Sequence, residues 1–263
     1  MHWCRVLHDG EARYGIVEGD HVSLVRGTPF GHYEPTGEAC LLSRSRILVP
    51  TEPRNFYAVG VNYAAHVEWA RGRHKMQIGV PTQADIGYRS PNALIASGEP
   101  IVVPSDSEGP LEYEGELVAV VGREARNLDV SEALNCLLGY TLGNDVSERN
   151  WQRSDRTLWR AKNCDTFKPM GPVIATDLDP SRQRIAVRVN GRVANEYDTE
   201  RMIFSVEHYI ARMTRYVTLH PGDVIWLGTD GACEPALQTG DVVSIENEHI
   251  GILVNPVVAQ AMT

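Results

Sequence analysis

The feature that most constrains the fold is a short apolar run with acidic residues directly before it. Residues 117–121 read LVAVV, and Glu112, Glu114 and Glu116 precede or open this run at a spacing of two. In a strand, that spacing places the three carboxylates on one face. Carboxylates beside a buried strand are costly unless a cation compensates them. The segment therefore predicts a core strand with an acidic start, whose carboxylates either bind a metal ion or form a solvated edge-strand face, the commoner outcome of such a pattern.

Three further charged or titratable residues are candidates for a site. Asp145 follows the apolar residues 137–143, so it either points into a cleft or caps the next helix. Lys162 lies between apolar flanks, although most lysines are simply at the surface. His66 follows the turn-like Asn62 and is either a general base or a histidine satisfied by a partner at a helix start.

The rest of the pattern is that of a β-rich chain with few helices. We expect strands at 56–60, 111–121, 137–143, 173–176, 185–189, 223–227, 241–245 and 251–254. We expect helices at 130–135, 146–154 and 206–218. Residues 70–88 are polar and show no clean period, which predicts a long loop that acts as a lid over a site.

The chain divides near residue 50. Residues 1–48 predict a small, mostly β domain with a hairpin turn at Gly19 and Asp20. Pro50 and Pro53 mark the boundary, and residues 49–263 predict one larger domain. The predicted class is α+β, predominantly β.

Composition excludes several classes of function. The formal charge is -9, with 34 acidic against 25 basic residues, which argues against a nucleic-acid binder. The longest apolar runs fall far short of the roughly 18–20 residues of a membrane span. Five cysteines without a C-x-x-C pair argue against a disulfide framework and favour a reducing cytoplasm.

Several segments, in order along nearly the whole chain, resemble the fumarylacetoacetate hydrolase family, short bacterial type. They read VGVNYAAH (59–66), YEGELVAVVG (113–122), GYTLGNDVSERNWQ (139–152), WRAKNCDTFKPMGPVI (159–174) and LHPGDVIWLGTDG (219–231). The acidic strand, the NDVSERNWQ element and the lysine segment in this order are specific. The resemblance implies a mixed β-sandwich roll with a small N-terminal β-rich domain, usually in a homodimer.

The resemblance also implies a role for each site residue. Glu114, Glu116 and Asp145 match the family's carboxylate ligands for Mg²⁺ or Mn²⁺, and Glu112 falls just outside them. The remaining matches are Lys162 at the substrate oxyanion or carboxylate, Gln152 lining the site, His66 activating water, and Arg89 and Thr229 at the substrate.

Three positions depart from the family pattern. Trp69 stands where short bacterial hydrolases have the glutamate that pairs with the histidine. Glu68 or Asp85 would have to supply that carboxylate, and Glu68 faces away from His66 on a regular helix. Asp230 replaces the proline that commonly follows the glycine-threonine turn, and Val59 stands where the animal enzyme has a fourth ligand.

The expected substrate is a small 2-keto acid that chelates the metal ion through its carboxylate and keto oxygens. The ion then acts as a Lewis acid on the carbonyl. C–C hydrolysis of an acylpyruvate is narrowly favoured. The alternatives are an isomerase or decarboxylase, of 2-hydroxyhepta-2,4-diene-1,7-dioate isomerase or oxaloacetate decarboxylase type, and a non-catalytic protein that binds metal or ligand.

Overall fold

The computed structural model describes residues 1–261 and confirms the predicted α+β, predominantly β class. In this part of the chain the strands are β1 (His2–His8), β2 (Glu11–Glu18), β3 (His21–Gly27), β4 (Tyr33–Leu41), β5 (Arg46–Ile47), β6 (Phe56–Val59), β7 (Ile86–Tyr88), β8 (Leu94–Ile95), β9 (Ile101–Val103), β10 (Leu111–Glu112), β11 (Gly115–Val121), β12 (Leu137–Asn144), β13 (Ser147–Glu148), β14 (Lys168–Ala175), β15 (Arg184–Val189), β16 (Arg192–Asp198), β17 (Val224–Trp226), β18 (Val242–Asn247) and β19 (Gly251–Ala259). The α-helices are α1 (Ala64–His74), α2 (Arg149–Gln152) and α3 (Val206–Thr214). Short 3₁₀ helices occupy Leu42–Arg44, Pro91–Ala93, Val130–Cys136, Pro180–Arg182 and Thr199–Arg201.

Most of these strands belong to two sheets. The larger has the order β4-β3-β2-β1-β14-β12-β11-β17-β6-β7, with β5 paired to β1 and β8 paired to β14. The smaller has the order β16-β15-β18-β19-β9. The predicted hairpin is confirmed, because β2 and β3 pair with Glu18 opposite His21. Within residues 1–261, no helix is both long and apolar enough to cross a membrane.

The small sheet packs on one face of the large one, which explains why β11 is apolar throughout. Leu117, Ala119 and Val121 belong to the core cluster that also contains the small sheet's inward residues. Val118 and Val120 face a second cluster on the opposite side. Burying each such side chain is worth about 1.5–3 kcal/mol, so both faces of β11 anchor the fold.

The first four strands extend the large sheet instead of standing apart from it. Trp3 of β1 pairs with Ile174 of β14, and both side chains are buried. Strand β5 also pairs with β1. A division of the chain at residue 48 stays a prediction.

The loop expected at residues 70–88 is shorter than the sequence indicated. Helix α1 continues to His74 and β7 begins at Ile86, so within the expected loop only residues 75–85 lie outside a helix or strand. The sequence signal was weak because α1 buries only Val67 and Ala70 and is otherwise mostly polar. With so few apolar positions, the helical period is hard to detect.

Three other expected elements are corrected. The strand expected at 111–121 is interrupted at residues 113–114: β10 pairs with β13, whereas β11 pairs with β12. The helix expected at 146–154 is reduced to α2, because Ser147 and Glu148 form β13 instead. The third helix ends at Thr214, four residues earlier than expected.

Candidate functional site

Three carboxylates meet where β11 begins and β12 ends. These strands are antiparallel, with Gly115 opposite Asn144, so Glu114 and Glu116 lie at the same edge as Asp145. The backbone holds this edge together, since the Asp145 amide donates to the Glu114 carbonyl at 2.9 Å. One oxygen from each carboxylate lies within 4.8 Å of the others, and all three side chains are buried. The structure thus brings together the predicted metal-ligand set.

Buried cations compensate these carboxylates. The Lys162 Nζ lies 2.5 Å from Glu114 Oε2 and 2.8 Å from Asp145 Oδ2, so it bridges two of them. The other contacts are Lys168 with Asp145 at 2.7 Å, Arg89 with Asp145 at 2.9 Å, and Arg149 with Glu114 at 2.6 Å. Unpaired buried charges would cost several kcal/mol each, so this network is needed to keep Glu114 and Asp145 ionised.

The cations act unevenly on the three acids. Burial raises the pKa of Glu114, but Lys162 and Arg149 outweigh it and lower that pKa to about 2. Burial acts on Asp145 in the same way, and Arg89, Lys162 and Lys168 hold its pKa well below the ordinary value. Burial and the charges of Asp145 and Glu114 raise the pKa of Glu116 well above its ordinary value. Its one close backbone donor is the Gly228 amide, 2.8 Å from Oε2.

The donor set fits a hard divalent cation. All three groups are carboxylates, the ligands that Mg²⁺ and Mn²⁺ prefer. Lys162 already places one positive charge between two of them, which indicates that this position favours a cation. That a metal binds here stays a prediction.

His66 projects from α1 toward this cluster. Its Nδ1 lies 3.0 Å from the Gly231 carbonyl oxygen, which can only accept, so Nδ1 carries the proton and Nε2 is left with a free lone pair. Nε2 lies 3.9 Å from Glu114 Oε1. Burial is the largest effect on the His66 pKa and lowers it, which favours the neutral imidazole.

Neither expected carboxylate partner reaches His66 in this structure. Glu68 is exposed on α1, as a regular helix requires. Asp85 is also exposed, and its Oδ1 accepts from the Ile86 amide. Trp69 instead packs against the imidazole with ring centroids 5.2 Å apart and the ring planes tilted by 32°. The histidine is therefore oriented by a backbone carbonyl and an aromatic ring.

A cavity of about 220 Å³ reaches Glu114 of this cluster, and we call it the inner cavity. Its walls include His66, Trp69, Arg89, Glu114, Gln152 and Lys162. Its size suits a small organic acid. Most of the predicted site residues therefore share one space.

The remaining predicted residues have mixed positions. Gln152 lines the inner cavity and accepts from the Arg149 guanidinium at 2.8 Å. Arg89 lines it too, but its guanidinium is engaged by Asp145. Thr229 is buried beside Gly228 and does not line this cavity. Glu112 lies outside the carboxylate cluster, as expected, and pairs with Arg149 at 2.6 Å.

Sequence reasoning missed Arg149, Lys168 and His74. Arg149 stands three residues before Gln152, so one helical turn brings both side chains to the site. Lys168 is the first residue of an otherwise apolar strand that is buried along its whole length, and a lysine there is a detectable signal. His74 lay within the presumed loop, and recognising α1 would have placed it on the same helix as His66.

Comparison with known proteins gives consistent matches. Residues 1–50 match the family described as Rv2993c-like, N-terminal, and residues 55–258 match Fumarylacetoacetate (FAA) hydrolase C-terminal. Protein Rv2993c of Mycobacterium tuberculosis is 39% identical over 88% of this chain and 85% of its own length. The mitochondrial oxaloacetate tautomerase fahd2 of Xenopus laevis is 34% identical over 83% of this chain and 70% of its own. The crystal structure of a 5-carboxymethyl-2-hydroxymuconate delta-isomerase from Mycobacterium smegmatis is similar with a TM-score of 0.89 and 36% identity, over 99% of this chain and 100% of that one.

Proposed function

The chain belongs to the fumarylacetoacetate hydrolase family, and from that membership we propose that it is a divalent-metal-dependent enzyme that enolises a small 2-keto acid. Enolisation covers keto-enol tautomerisation and double-bond isomerisation. One observation carries the proposal: the free Nε2 of His66 shares the inner cavity with Lys162 and with Glu114, one member of the buried carboxylate cluster. Relatives named as a tautomerase and an isomerase support it.

Glu114, Glu116 and Asp145 are the residues that would hold Mg²⁺ or Mn²⁺. A bound divalent ion supplies Lewis-acid polarisation of the keto carbonyl and an anchor for the neighbouring carboxylate. Arg149 would keep Glu114 ionised, and Lys168 would do the same for Asp145. Gln152, Arg89 and Thr229 are proposed to position the substrate.

His66 and Lys162 perform the proton transfer in this proposal. His66 Nε2 takes the proton from C3 of the 2-keto acid, the C–H electrons form the C2–C3 double bond, and the carbonyl electrons move to the keto oxygen. The Lys162 ammonium stabilises the negative charge that develops there. Return of the proton to that oxygen gives the enol, and return to a different carbon of a conjugated substrate gives the isomer.

C–C hydrolysis of an acylpyruvate is the second candidate, and the sequence narrowly favoured it. It needs an activated water, for which a histidine is usually oriented by a carboxylate. The orientation of His66 supports it, because the Gly231 carbonyl holds the imidazole by Nδ1 and leaves the Nε2 lone pair able to take a proton from water. Decarboxylation requires neither the water nor the base.

The test is a comparison of wild type, His66→Ala and Glu68→Ala in the presence of Mg²⁺. The assays follow loss of oxaloacetate enol absorbance and cleavage of acetylpyruvate. We expect wild type to tautomerise oxaloacetate, His66→Ala to lose at least 100-fold in rate, in the ~10²–10⁴ range typical of a general base, and Glu68→Ala to match wild type. Enolisation unaffected by His66→Ala refutes the assigned base, and acetylpyruvate cleavage as the only activity establishes the second candidate.

A homodimer and a cytoplasmic location also remain proposals. A light-scattering mass of twice 29.2 kDa would support the dimer.

A further inference from the structure

The carbonyl that orients His66 belongs to a turn that side chains hold in place. The Gly231 oxygen accepts from His66 Nδ1 at 3.0 Å. Among residues 1–261, the only other hydrogen-bond contact of this nitrogen is a long one to the Cys233 thiol, at 4.0 Å. Trp69, which packs against the imidazole, has no acceptor to offer it. The orientation of the imidazole therefore depends on how firmly the Gly231 carbonyl is held.

The peptide bond between Asp230 and Gly231 is fixed on both sides. Its N–H donates to Oδ1 of the Asp230 side chain at 2.8 Å, and its carbonyl accepts from Asn195 Nδ2 at 2.6 Å. Asn195 lies on β16, so the smaller sheet holds a turn that follows β17 of the larger one. Because both polar atoms of this peptide are engaged within the protein, rotating it would break two hydrogen bonds.

Gly231 connects this fixed peptide to the carbonyl that His66 contacts. Its φ is +66°, a left-handed conformation that favours glycine. An added Cβ would lie 3.3 Å from Asn195 Oδ1, so the missing side chain also lets Asn195 approach the turn closely. The Gly231 carbonyl is attached directly to the held peptide. The side chains of Asp230 and Asn195 thus set the position from which it meets the imidazole.

The burial of Asp230 indicates a role beyond filling the turn. This residue is only 3% exposed, and among residues 1–261 its carboxylate accepts a single hydrogen bond, from Gly231. Arg201, its salt-bridge partner, is 3.9 Å away and 60% exposed. A buried carboxylate with so few partners is costly. The proline that is common at this position in the family would restrict the turn without that cost.

We propose that Asp230 and Asn195 are positioning residues for His66: they hold the Gly231 carbonyl where it keeps the proton on Nδ1 and leaves Nε2 free to act as a base. The role of the base rests on the proposed function, whereas the position of the proton does not. The hydrogen bond at one ring nitrogen of a histidine sets which nitrogen carries the proton. In Ser-His-Asp enzymes a carboxylate makes that bond directly. In this chain two polar side chains act through a backbone carbonyl instead.

The test compares wild type with Asp230→Ala, Asn195→Ala and Asp230→Asn, all loaded with Mg²⁺. Asparagine keeps a side-chain oxygen that can accept from the Gly231 amide, so Asp230→Asn is the conservative variant. Nitrogen-15 NMR at pH ~8, where an ordinary histidine is neutral, reports which ring nitrogen of His66 carries the proton. The His66 signals are assigned by their absence in His66→Ala. Loss of oxaloacetate enol absorbance gives kcat and KM.

Asp241→Ala is the matched control. Asp241 also accepts from a backbone amide in a turn, that of Gln238 at 2.7 Å, and from the Asn190 side chain at 2.7 Å. It does not line the inner cavity. The control therefore removes a similar set of hydrogen bonds without touching the turn at His66.

We expect wild type, Asp230→Asn and the control to carry the proton on Nδ1. In Asp230→Ala and Asn195→Ala the proton should move in part to Nε2. Their kcat should fall by at least about tenfold, because part of the ~10²–10⁴ contribution of a general base is lost, while KM stays nearly unchanged.

A wild-type proton position in both alanine variants overturns the proposal. So does Asp230→Asn behaving like Asp230→Ala, or a moved proton in the control. If the proton moves in the alanine variants but turnover does not change, the positioning role stands and the base assigned in the proposed function is wrong.

Discussion

Lys162 illustrates how single residues balance charge in this molecule. Its ammonium bridges Glu114 and Asp145, and its side chain is only 5% exposed. The same charge that compensates the two acids in the metal-free protein is placed to stabilise a substrate oxyanion. One lysine therefore serves both stability and chemistry in the proposed mechanism.

Replacement of Lys162 separates these two roles. Lys162→Met removes the charge and leaves an unbranched side chain that is one heavy atom shorter. We expect the metal-free variant to lose about 3 kcal/mol in free energy of unfolding, because two buried carboxylates lose a partner. Turnover with Mg²⁺ should fall by ~10²–10³. Urea unfolding measures the loss of stability, and enol absorbance measures the loss of turnover. Arg156→Met is the control. Turnover of Lys162→Met within threefold of wild type contradicts the role assigned to Lys162.

His74 predicts a specific dependence of stability on pH. Burial, together with the charges of Arg149, Arg73 and Arg153, lowers its pKa to about 4, whereas Glu234 opposes the shift. An unfolded histidine titrates near pH ~6.5, so between these values the unfolded chain binds the extra proton. Stability contributed by neutral His74 is therefore present above pH ~6.5 and is lost as the pH falls toward 4.

His74→Gln should remove this dependence. We expect the free energy of unfolding of wild type to fall relative to that of the variant as the pH falls from 7.5 to 4.5. Urea unfolding at several pH values measures it. A difference that stays constant over that range is incompatible with a depressed His74 pKa.

Which of these residues the sequence could reveal depends on local spacing. The carboxylates Glu114 and Glu116 were predictable because strand alternation places them on one side of a buried segment. The pairing of Arg89 with Asp145 was not, since the two residues are 56 positions apart and meet only through the tertiary fold. The Gly231 carbonyl that orients His66 was hidden for the same reason, and a backbone atom leaves no residue signature.

At the scale of elements, the register of β11 against β12 places the site. Gly143 of β12 faces Trp226, and an added Cβ would lie 2.6 Å from the indole. This close approach lets the buried tryptophan pack flat against the strand that leads to Asp145. The distance between Glu116 of β11 and Asp145 after β12 thus depends on Gly143 having no side chain.

Gly143→Ala should disturb both packing and site. We expect a loss of about 1–3 kcal/mol in free energy of unfolding, as for other overpacked cores, and weaker Mn²⁺ binding. Gly79→Ala is the matched control, because its added Cβ meets nothing within 4 Å. Urea unfolding and Mn²⁺ titration by electron paramagnetic resonance provide the readouts, and equal behaviour of the two variants would rule out this role for Gly143.

Elements were predictable where the apolar period was strong. Strands β6, β15 and β18 fall close to their expected positions. Helix α1 was missed because its exposed face dominates its composition. The break between β10 and β11 was also hidden, since residues 113 and 114 continue the alternation while their backbone leaves the ladder.

At the scale of the whole molecule, two sheets bury the strands that carry the site. Local patterns indicated a β-rich class, but only the family resemblance specified the sandwich. Pairings such as β1 with β14 join segments more than 160 residues apart, and no local rule fixes such contacts. The outcome is a buried core with one edge where acids, cations and a histidine meet.

The proposed metal dependence is tested most directly by a magnesium titration of chelator-stripped protein, with conversion of oxaloacetate enol as the readout and the protein-free rate subtracted. We predict that the stripped protein is near background, that Mg²⁺ restores turnover saturably, and that Asp145→Asn and Glu116→Gln fail to respond. Full turnover in excess chelator, or a wild-type magnesium response in both variants, would contradict it.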